Sequence, residues 1–147
     1  MACAFVAPLF TNSLRIPDGS SIFTAEAVAV YRALQYIKLS KFEKFIIFTD
    51  SLSLIQSIQN LNEKNAVVLS IFEILGQIFE KKKKVIFCWI PSHVGIKGNE
   101  LADQAAKQAL DLQISPIPVP FVDKIPYVKT SLSNSWQQDW NMTIDNK

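Results

Sequence analysis

Apolar and polar residues follow one another in blocks that predict strands and helices in alternation. Strands are predicted at "ACAFVAPLF", "NSLRIP", "KFIIFTD" and "VIFCWIP". Helices are predicted at "SSIFTAEAVAVYRALQYIKL", "SLSLIQSIQNL", "AVVLSIFEILGQIFEKKKK" and "NELADQAAKQALDL". The first two strands form a hairpin, whereas the last two are solid apolar runs, typical of parallel strands covered on both faces. This order predicts an α/β fold in which a mixed sheet carries helices on its faces.

The pattern changes after Leu112, where prolines become frequent. Residues 1–112 are predicted to form the α/β domain, residues 113–126 a proline-rich extended linker, and residues 127–147 a helical tail. The tail carries apolar residues at four-residue spacing, namely Val128, Leu132, Trp136 and Trp140. We expect this stripe to pack back on the domain, and a stacking platform for nucleic acid is the open alternative.

The composition excludes some classes of protein but does not identify a function. The chain has 147 residues, of which 49% are hydrophobic and 19% charged, which fits one globular domain and excludes a disordered chain. The net charge of +2 is compatible with nucleic-acid binding but does not by itself argue for it. Cys3 and Cys88 lie in apolar strands without metal-ligand spacing, which favours buried free thiols in a reducing compartment. The apolar start lacks a basic segment and is too short to span a bilayer, so an intracellular protein without a membrane segment is expected.

Three acidic residues occupy positions that packing alone does not explain. Asp50 ends a predicted parallel strand, at the sheet edge where ligands of open α/β folds bind. Glu26 and Asp103 each lie on an otherwise apolar helix stripe, where an ionised carboxylate needs a cationic partner. Individually, Asp50 also suits a helix cap and Glu26 a helix dipole. Together the three predict an all-oxygen site for Mg²⁺ or Mn²⁺ rather than zinc, with His93 in a loop beside it to handle a proton.

Such a site indicates phosphoryl chemistry. Two divalent ions about 3.5–4 Å apart can activate water and stabilise the leaving oxygen of a phosphodiester. A phosphoacceptor receiver domain is the competing class, with Asp50 as the modified residue. That class expects a lysine after the last strand and an early pair of acids, and the sequence has neither.

Three segments resemble the ribonuclease H type-1 domain: "TAEAVAVYRAL", "FTDSLS" and the long, specific "WIPSHVGIKGNELADQAAK". The form they resemble most is found at the end of the reverse-transcriptase polyproteins of non-LTR retrotransposons in arthropods. The resemblance covers roughly Ala2 to Leu110, and the proline-rich linker with its "SWQQDW" helix is similar to the tail of these proteins.

The resemblance implies an endonuclease that hydrolyses the RNA strand of RNA–DNA hybrids, with two Mg²⁺ (or Mn²⁺) ions held by four carboxylates. Glu26, Asp50 and Asp103 match three of these metal ligands and catalytic acids. His93 matches the histidine of a mobile loop that assists proton transfer and product release. Asn99 and Ser51 are the expected substrate-binding residues, and Asn99 is followed by Glu100 in the family's Asn-Glu pair.

One departure from the family affects activity. The family's first strand carries the fourth carboxylate in an Asp-Gly-Ser signature and lies mid-sheet, whereas Met1 stands almost at the start of the second strand. The "PDGSS" segment lies between the third strand and the first helix, so Asp18 is predicted to be a turn residue rather than a substitute. We therefore expect a ribonuclease H-like mixed sheet truncated at its N-terminus, with its first strand absent.

Two functions follow as alternatives. One is the hybrid-specific nuclease, acting as a monomer and joined in a polyprotein to an upstream reverse transcriptase domain. The other is a catalytically inactive remnant of the same fold that binds nucleic acid without turnover.

Overall fold

The computed structural model describes residues 1–144 and confirms the α/β class. Its elements, in chain order, are β1 (Ala2–Ala7), β2 (Phe10–Arg15), α1 (Ile22–Leu39), β3 (Lys44–Thr49), α2 (Leu52–Gln59), α3 (Ala66–Glu80), β4 (Lys84–Trp89), α4 (Lys97–Gln108), a 3-10 turn (Ala109–Asp111) and α5 (Phe121–Ile144). All four predicted strands and the helices between them are present. Helix α4 begins two residues earlier than the sequence pattern predicts.

The strands form two separate two-stranded sheets rather than one. Strands β1 and β2 pair antiparallel as the predicted hairpin, and β3 and β4 pair in parallel. The chain between α4 and α5 adds one isolated parallel bridge, Arg15 to Ile114, beside β2. Within residues 1–144 no strand joins β1 to β3, so each of these two strands keeps one edge without a ladder partner.

Helix α1 supports both sheets. Ser21 caps its N-terminus, with its hydroxyl accepting a hydrogen bond from the Thr24 amide at 3.1 Å. One side of the helix packs against the hairpin through Ala25 and Val28, which contact Cys3 and its neighbours. Its other side joins α2, α3 and the β3–β4 pair in the larger core, whose fully buried members include Leu34, Leu54, Val68, Ile71 and Ile78. Helix α1 therefore has buried residues on two sides, one facing the hairpin and the other facing the larger core.

The prediction that the solid apolar strands are covered on both faces is wrong for β3 and β4. One face packs against α1 and α3 through Phe45, Ile47, Val85 and Phe87. On the other face Ile46, Phe48 and Ile86 remain 56%, 60% and 60% exposed. The reason is the position of α4, which packs on β1 and β2 and leaves the outer face of the parallel pair open.

The C-terminal segment also differs from its prediction. Helix α5 begins at Phe121 rather than after Pro126, and the proline lies inside it. The expectation that the stripe packs back on the domain is wrong, because Trp136 and Trp140 are 80% and 63% exposed. The predicted tail extends to Lys147, and residues 145–147 lie outside the described part of the chain. No helix in residues 1–144 is both long enough and apolar enough to cross a membrane.

Two lysine side chains cap the C-terminal end of α1. The Lys83 ammonium group donates hydrogen bonds to the carbonyl groups of Ile37, Lys38 and Ser40. The Lys81 ammonium donates a further bond to the Lys38 carbonyl at 3.4 Å. These cations satisfy the last carbonyl groups of α1, which have no partners inside the helix.

Candidate active site

Asp50 follows β3 at the carboxyl end of the parallel pair, as the sequence predicts. Its carboxylate accepts a hydrogen bond from the side-chain amide of Asn99, with 3.1 Å between Nδ2 and Oδ2. Its backbone carbonyl accepts another from the indole nitrogen of Trp89, the last residue of β4, at 3.2 Å. Asp50 is therefore fixed between the ends of both parallel strands and the first turn of α4.

Glu26 lies in the second turn of α1, half-buried beside Asp50. Burial raises the pKa of the Glu26 carboxyl above its usual range, and repulsion from Asp50 adds to the rise. A hydrogen bond with the Ser51 side chain opposes this shift without cancelling it. Two carboxyl groups that repel each other at a sheet edge form a site where a cation would be stabilised.

Ser51 is only 4% exposed and acts as the N-cap of α2. Its hydroxyl accepts a hydrogen bond from the Leu54 amide at 3.3 Å and lies within hydrogen-bonding reach of the Ser53 hydroxyl. Together with its bond to Glu26, these contacts tie the start of α2 to the acid pair.

The start of α4 carries the second set of predicted residues. The amides of Asn99 and Glu100 both bond to the Ile96 carbonyl, which opens the helix without a side-chain cap. Glu100 and Asp103 are three residues apart and therefore lie on the same face of the helix, one above the other. Helix α4 packs against β1 and β2, and its first turn reaches Asp50 through Asn99.

His93 belongs to the loop between β4 and α4 and reaches back to this helix. Its Nδ1 lies 3.4 Å from Oδ2 of Asp103, while the imidazole remains largely exposed. The loop bends sharply, with φ of 55° at His93 and 79° at Gly95. Positive φ is common for glycine and uncommon for other residues, among which histidine is enriched. The exposed imidazole is free to meet a ligand from solvent.

The structure thus gathers the predicted residues into two groups rather than one. His93, Glu100 and Asp103 each offer a ligand atom within 4.8 Å of the others. Glu26 and Asp50 form the second group, and the hydrogen bond from Asn99 to Asp50 connects the two. In the described residues this group does not include Glu26 or Asp50, and the expectation that Glu26, Asp50 and Asp103 share one site stays a prediction. Glu26 and Asp50 belong to the α1–β3 unit, whereas Asp103 belongs to the helix that packs on the hairpin.

The closeness of His93, Glu100 and Asp103 is visible in the sequence, and the structure brings their ligand atoms together. Sequence reasoning missed one feature of the site. Asn99 contacts Asp50, an interaction between residues 49 positions apart that no local pattern indicates.

Asp18 takes the turn position predicted for it. Its carboxylate pairs with the N-terminal amine at 3.2 Å and with Arg15 at 3.4 Å, and both contacts hold its pKa below its usual range. Gly19 follows with φ of 86°. Asp18 therefore closes the turn before α1, away from the acids at the sheet edge.

The donor set fits a hard divalent cation. Carboxylate oxygens dominate both groups, with one imidazole nitrogen, and oxygen ligands are those that Mg²⁺ and Mn²⁺ prefer. The raised pKa of Glu26 points the same way, because a cation between Glu26 and Asp50 would relieve the repulsion that contributes to it.

Comparison with known proteins gives one family. A search of curated proteins finds no match to this chain. The sequence profile of the family described as RNase H matches residues 3–111, which cover most of the chain and contain both groups of the site. The chain therefore belongs to the RNase H family.

Proposed function

We propose that this chain is the nuclease domain of a retroelement protein and hydrolyses the RNA strand of RNA–DNA hybrids with the help of divalent metal ions. Membership of the RNase H family supports a ribonuclease of this type. The observation that carries the proposal is the contact between Asn99 and Asp50, because it connects the acid pair of α1 and β3 to the His93, Glu100 and Asp103 group of α4.

Glu26, Asp50 and Asp103 are the residues that would hold Mg²⁺ or Mn²⁺. When bound, such ions activate water and stabilise the leaving oxygen of a phosphodiester. Glu26 and Asp50 repel each other without a cation, and a raised pKa makes Glu26 the acid whose charge depends most on the ion. Ser51 is too buried to reach a substrate, so we assign it the role of positioning Glu26.

His93 is the group suited to moving a proton. Its imidazole is exposed to solvent on one side and paired with Asp103 on the other, which orients the ring. It can accept a proton at the substrate and release it to water as the product leaves. Asn99 would stand between substrate and acids, where its amide holds Asp50 in place.

We further propose that a strand N-terminal to β1 completes the sheet and supplies the fourth carboxylate. The unpaired edges of β1 and β3 support this proposal, because each strand offers a row of backbone groups for one more partner. An inserted strand between them would join the two sheets and draw α4 towards Asp50. A reverse transcriptase domain upstream in the same polyprotein, inside the cell, is the natural source of that segment.

The second candidate is a catalytically inactive domain that binds nucleic acid. In residues 1–144 the group within 4.8 Å contains Asp103 but neither Glu26 nor Asp50, which favours this candidate, because residues that act as one catalytic unit lose nearly all activity when the unit is incomplete.

A cleavage assay distinguishes the two candidates. The 147-residue chain and a version extended at its N-terminus by an Asp-bearing strand are incubated with a labelled RNA–DNA hybrid, an RNA duplex and Mg²⁺. We expect the extended version to cut the RNA of the hybrid alone, and the shorter chain to cut it poorly or not at all. Absence of cleavage by the extended version, with hybrid binding retained, would establish the inactive domain.

A further inference from the structure

The outer face of the β3–β4 pair is an apolar surface with charged ends. The register places three pairs of side chains across it, Lys44 with Lys84, Ile46 with Ile86, and Phe48 with Cys88. Asp50 follows at the far end of the same strand, two residues beyond Phe48. We call this surface, residues 44, 46, 48, 84, 86 and 88, the outer sheet face. Nothing in the described chain covers it, and large exposed apolar patches on soluble proteins mark sites of association.

Helix α5 presents an unpartnered apolar stripe of similar length. The α5 stripe consists of Val128, Leu132, Trp136 and Trp140, all exposed, and it spans about 18 Å at 1.5 Å per residue. Strand β3 spans about 20 Å at 3.3 Å per residue, so the two surfaces match in length. A helix can bury such a stripe by packing on the apolar face of a sheet.

The charges of the two surfaces are complementary when α5 runs antiparallel to β3. Lys44 and Lys84 face each other at the start of the strands, an arrangement of like charges that is unfavourable by itself. Along the α5 stripe the charged residues are Lys129 near its beginning and Asp139 near its end. A helix antiparallel to β3 places Asp139 beside the lysine pair and Lys129 near Asp50. Within residues 1–144 none of these five side chains forms an ion pair in the isolated chain.

We propose that the α5 stripe of one copy docks on the outer sheet face of a second copy, and that the exchange is reciprocal. A two-fold arrangement of this kind buries both stripes and leaves no open end. Tryptophan side chains bury about 150–250 Å² each. The four of a dimer therefore supply about half of the roughly 1,200–2,000 Å² of a stable interface.

The path of α5 favours docking on a second copy over docking of the helix on its own domain. Its beginning is held by a 2.9 Å hydrogen bond from the Ser21 amide to the Asp123 carboxylate, at the start of α1. Helix α1 packs on the inner face of β3 and β4, opposite the outer sheet face. The helix continues unbroken to Ile144, so docking on its own domain would require breaking it, whereas docking on a partner leaves it intact. A nucleic acid is a poorer occupant, because Lys129 is the only cation along the stripe and stacking platforms depend on several.

Sedimentation equilibrium of the full chain over a wide concentration range tests the proposal. We expect a dimer, in place of the monomer that the sequence suggests, and a monomer for either Trp136→Glu or Phe48→Glu. Leu61→Glu, at an exposed position between α2 and α3, is the matched control and should leave the dimer unchanged. Circular dichroism checks that each variant is folded. A wild-type chain that stays monomeric at all concentrations would overturn the proposal. This holds both if α5 packs on its own domain and if its tryptophans remain exposed to solvent.

Two further measurements address the pairing itself. Mixing Trp136→Glu with Phe48→Glu should restore a weaker dimer, because one intact helix then meets one intact face. A dimer formed by helix against helix or face against face would show no such recovery, and that result would reject the exchange. The charge reversal Lys44→Glu with Lys84→Glu should weaken the dimer, and Asp139→Lys added to that variant should restore it. Loss of RNA binding in Trp136→Glu without any change in mass would assign the stripe to nucleic acid instead.

Discussion

The side-chain amide of Asn99 donates a hydrogen bond to the carboxylate of Asp50, with 3.1 Å between the two atoms. These residues belong to elements that rest on different sheets, since Asp50 follows β3 and Asn99 lies in the helix that packs on β1 and β2. The bond therefore links the two halves of the candidate site, and its strength bears on both the fold and the chemistry.

Replacing Asn99 by alanine should destabilise the domain by about 1 kcal/mol, the usual net value of one hydrogen bond to a partly exposed group. Asn99→Asp should cost more at pH 7, because it places a second carboxylate against Asp50, and this extra cost should disappear in acid. Urea unfolding at pH 7 and at about pH 2.5, below the ordinary range of aspartate, measures both effects. Asn62→Ala, in the exposed loop after α2, provides the control, and equal losses at both positions would show that the link carries no stability.

Glu26 gives the unsubstituted chain a pH dependence of the same sign. Its folded-state pKa is raised, so its contribution to stability is fully present in acid and is lost as the pH rises through the raised pKa. Glu26→Gln removes the half-buried charge and should therefore raise the free energy of unfolding in urea at pH 7, by less than about 1 kcal/mol because solvent screens the site. At a pH below the ordinary range of glutamate the two proteins should unfold alike. The exposed Glu73→Gln should show no gain at pH 7, and a loss of stability in Glu26→Gln would show that the charge is stabilised by the fold.

The sequence was most informative where a signal depends on neighbouring residues. The hairpin, α1 and the position of Asp50 follow from periodicity and from the end of an apolar run, and Asp18 was placed by its turn context. The contact between Asp50 and Asn99 was not predictable in this way, because it depends on how α4 packs on a distant hairpin.

The errors have a common cause. The solid run of β3 and the stripe with Trp136 were both assigned to buried positions because they are apolar, yet one face of β3 and the whole stripe are exposed. Apolarity indicates that a surface needs a partner but does not identify the partner. That ambiguity made the tail of the chain the least predictable part.

Metal binding should depend on Asp50. Titration of the 147-residue chain with Mn²⁺, followed by calorimetry, should give a weak heat of binding that Asp50→Asn removes, because Glu26 then lacks the partner with which it would share the ion. Asp111→Asn, an exposed acid in the turn after α4, should leave the titration unchanged. Loss of binding in Glu100→Gln but not in Asp50→Asn would instead place the ion on the α4 group.

The two cysteines should differ in reactivity. Cys3 is buried and its pKa is raised to about 12, first by burial, so at pH 8 only about one thiol in ten thousand is ionised. Cys88 lies on the outer sheet face and is partly exposed. In dilute, monomeric protein, iodoacetamide at pH 8 should therefore modify Cys88 well before Cys3, and both should react in urea, as mass spectrometry of the peptides would report. Equal rates in the folded protein would indicate that the hairpin core opens readily.

His93 should affect rate more than binding. In the version extended by an Asp-bearing strand, His93→Ala should lower kcat by about tenfold to a hundredfold, within or below the usual range for a group that moves a proton. The affinity for hybrid, measured by fluorescence anisotropy, should change little, because the imidazole is exposed and contacts Asp103 rather than the core. Val94→Ala, next to it in the same exposed loop, is the matched control for loop packing and should retain both the rate and the affinity. A loss of hybrid affinity in His93→Ala with unchanged kcat would assign this residue to substrate binding.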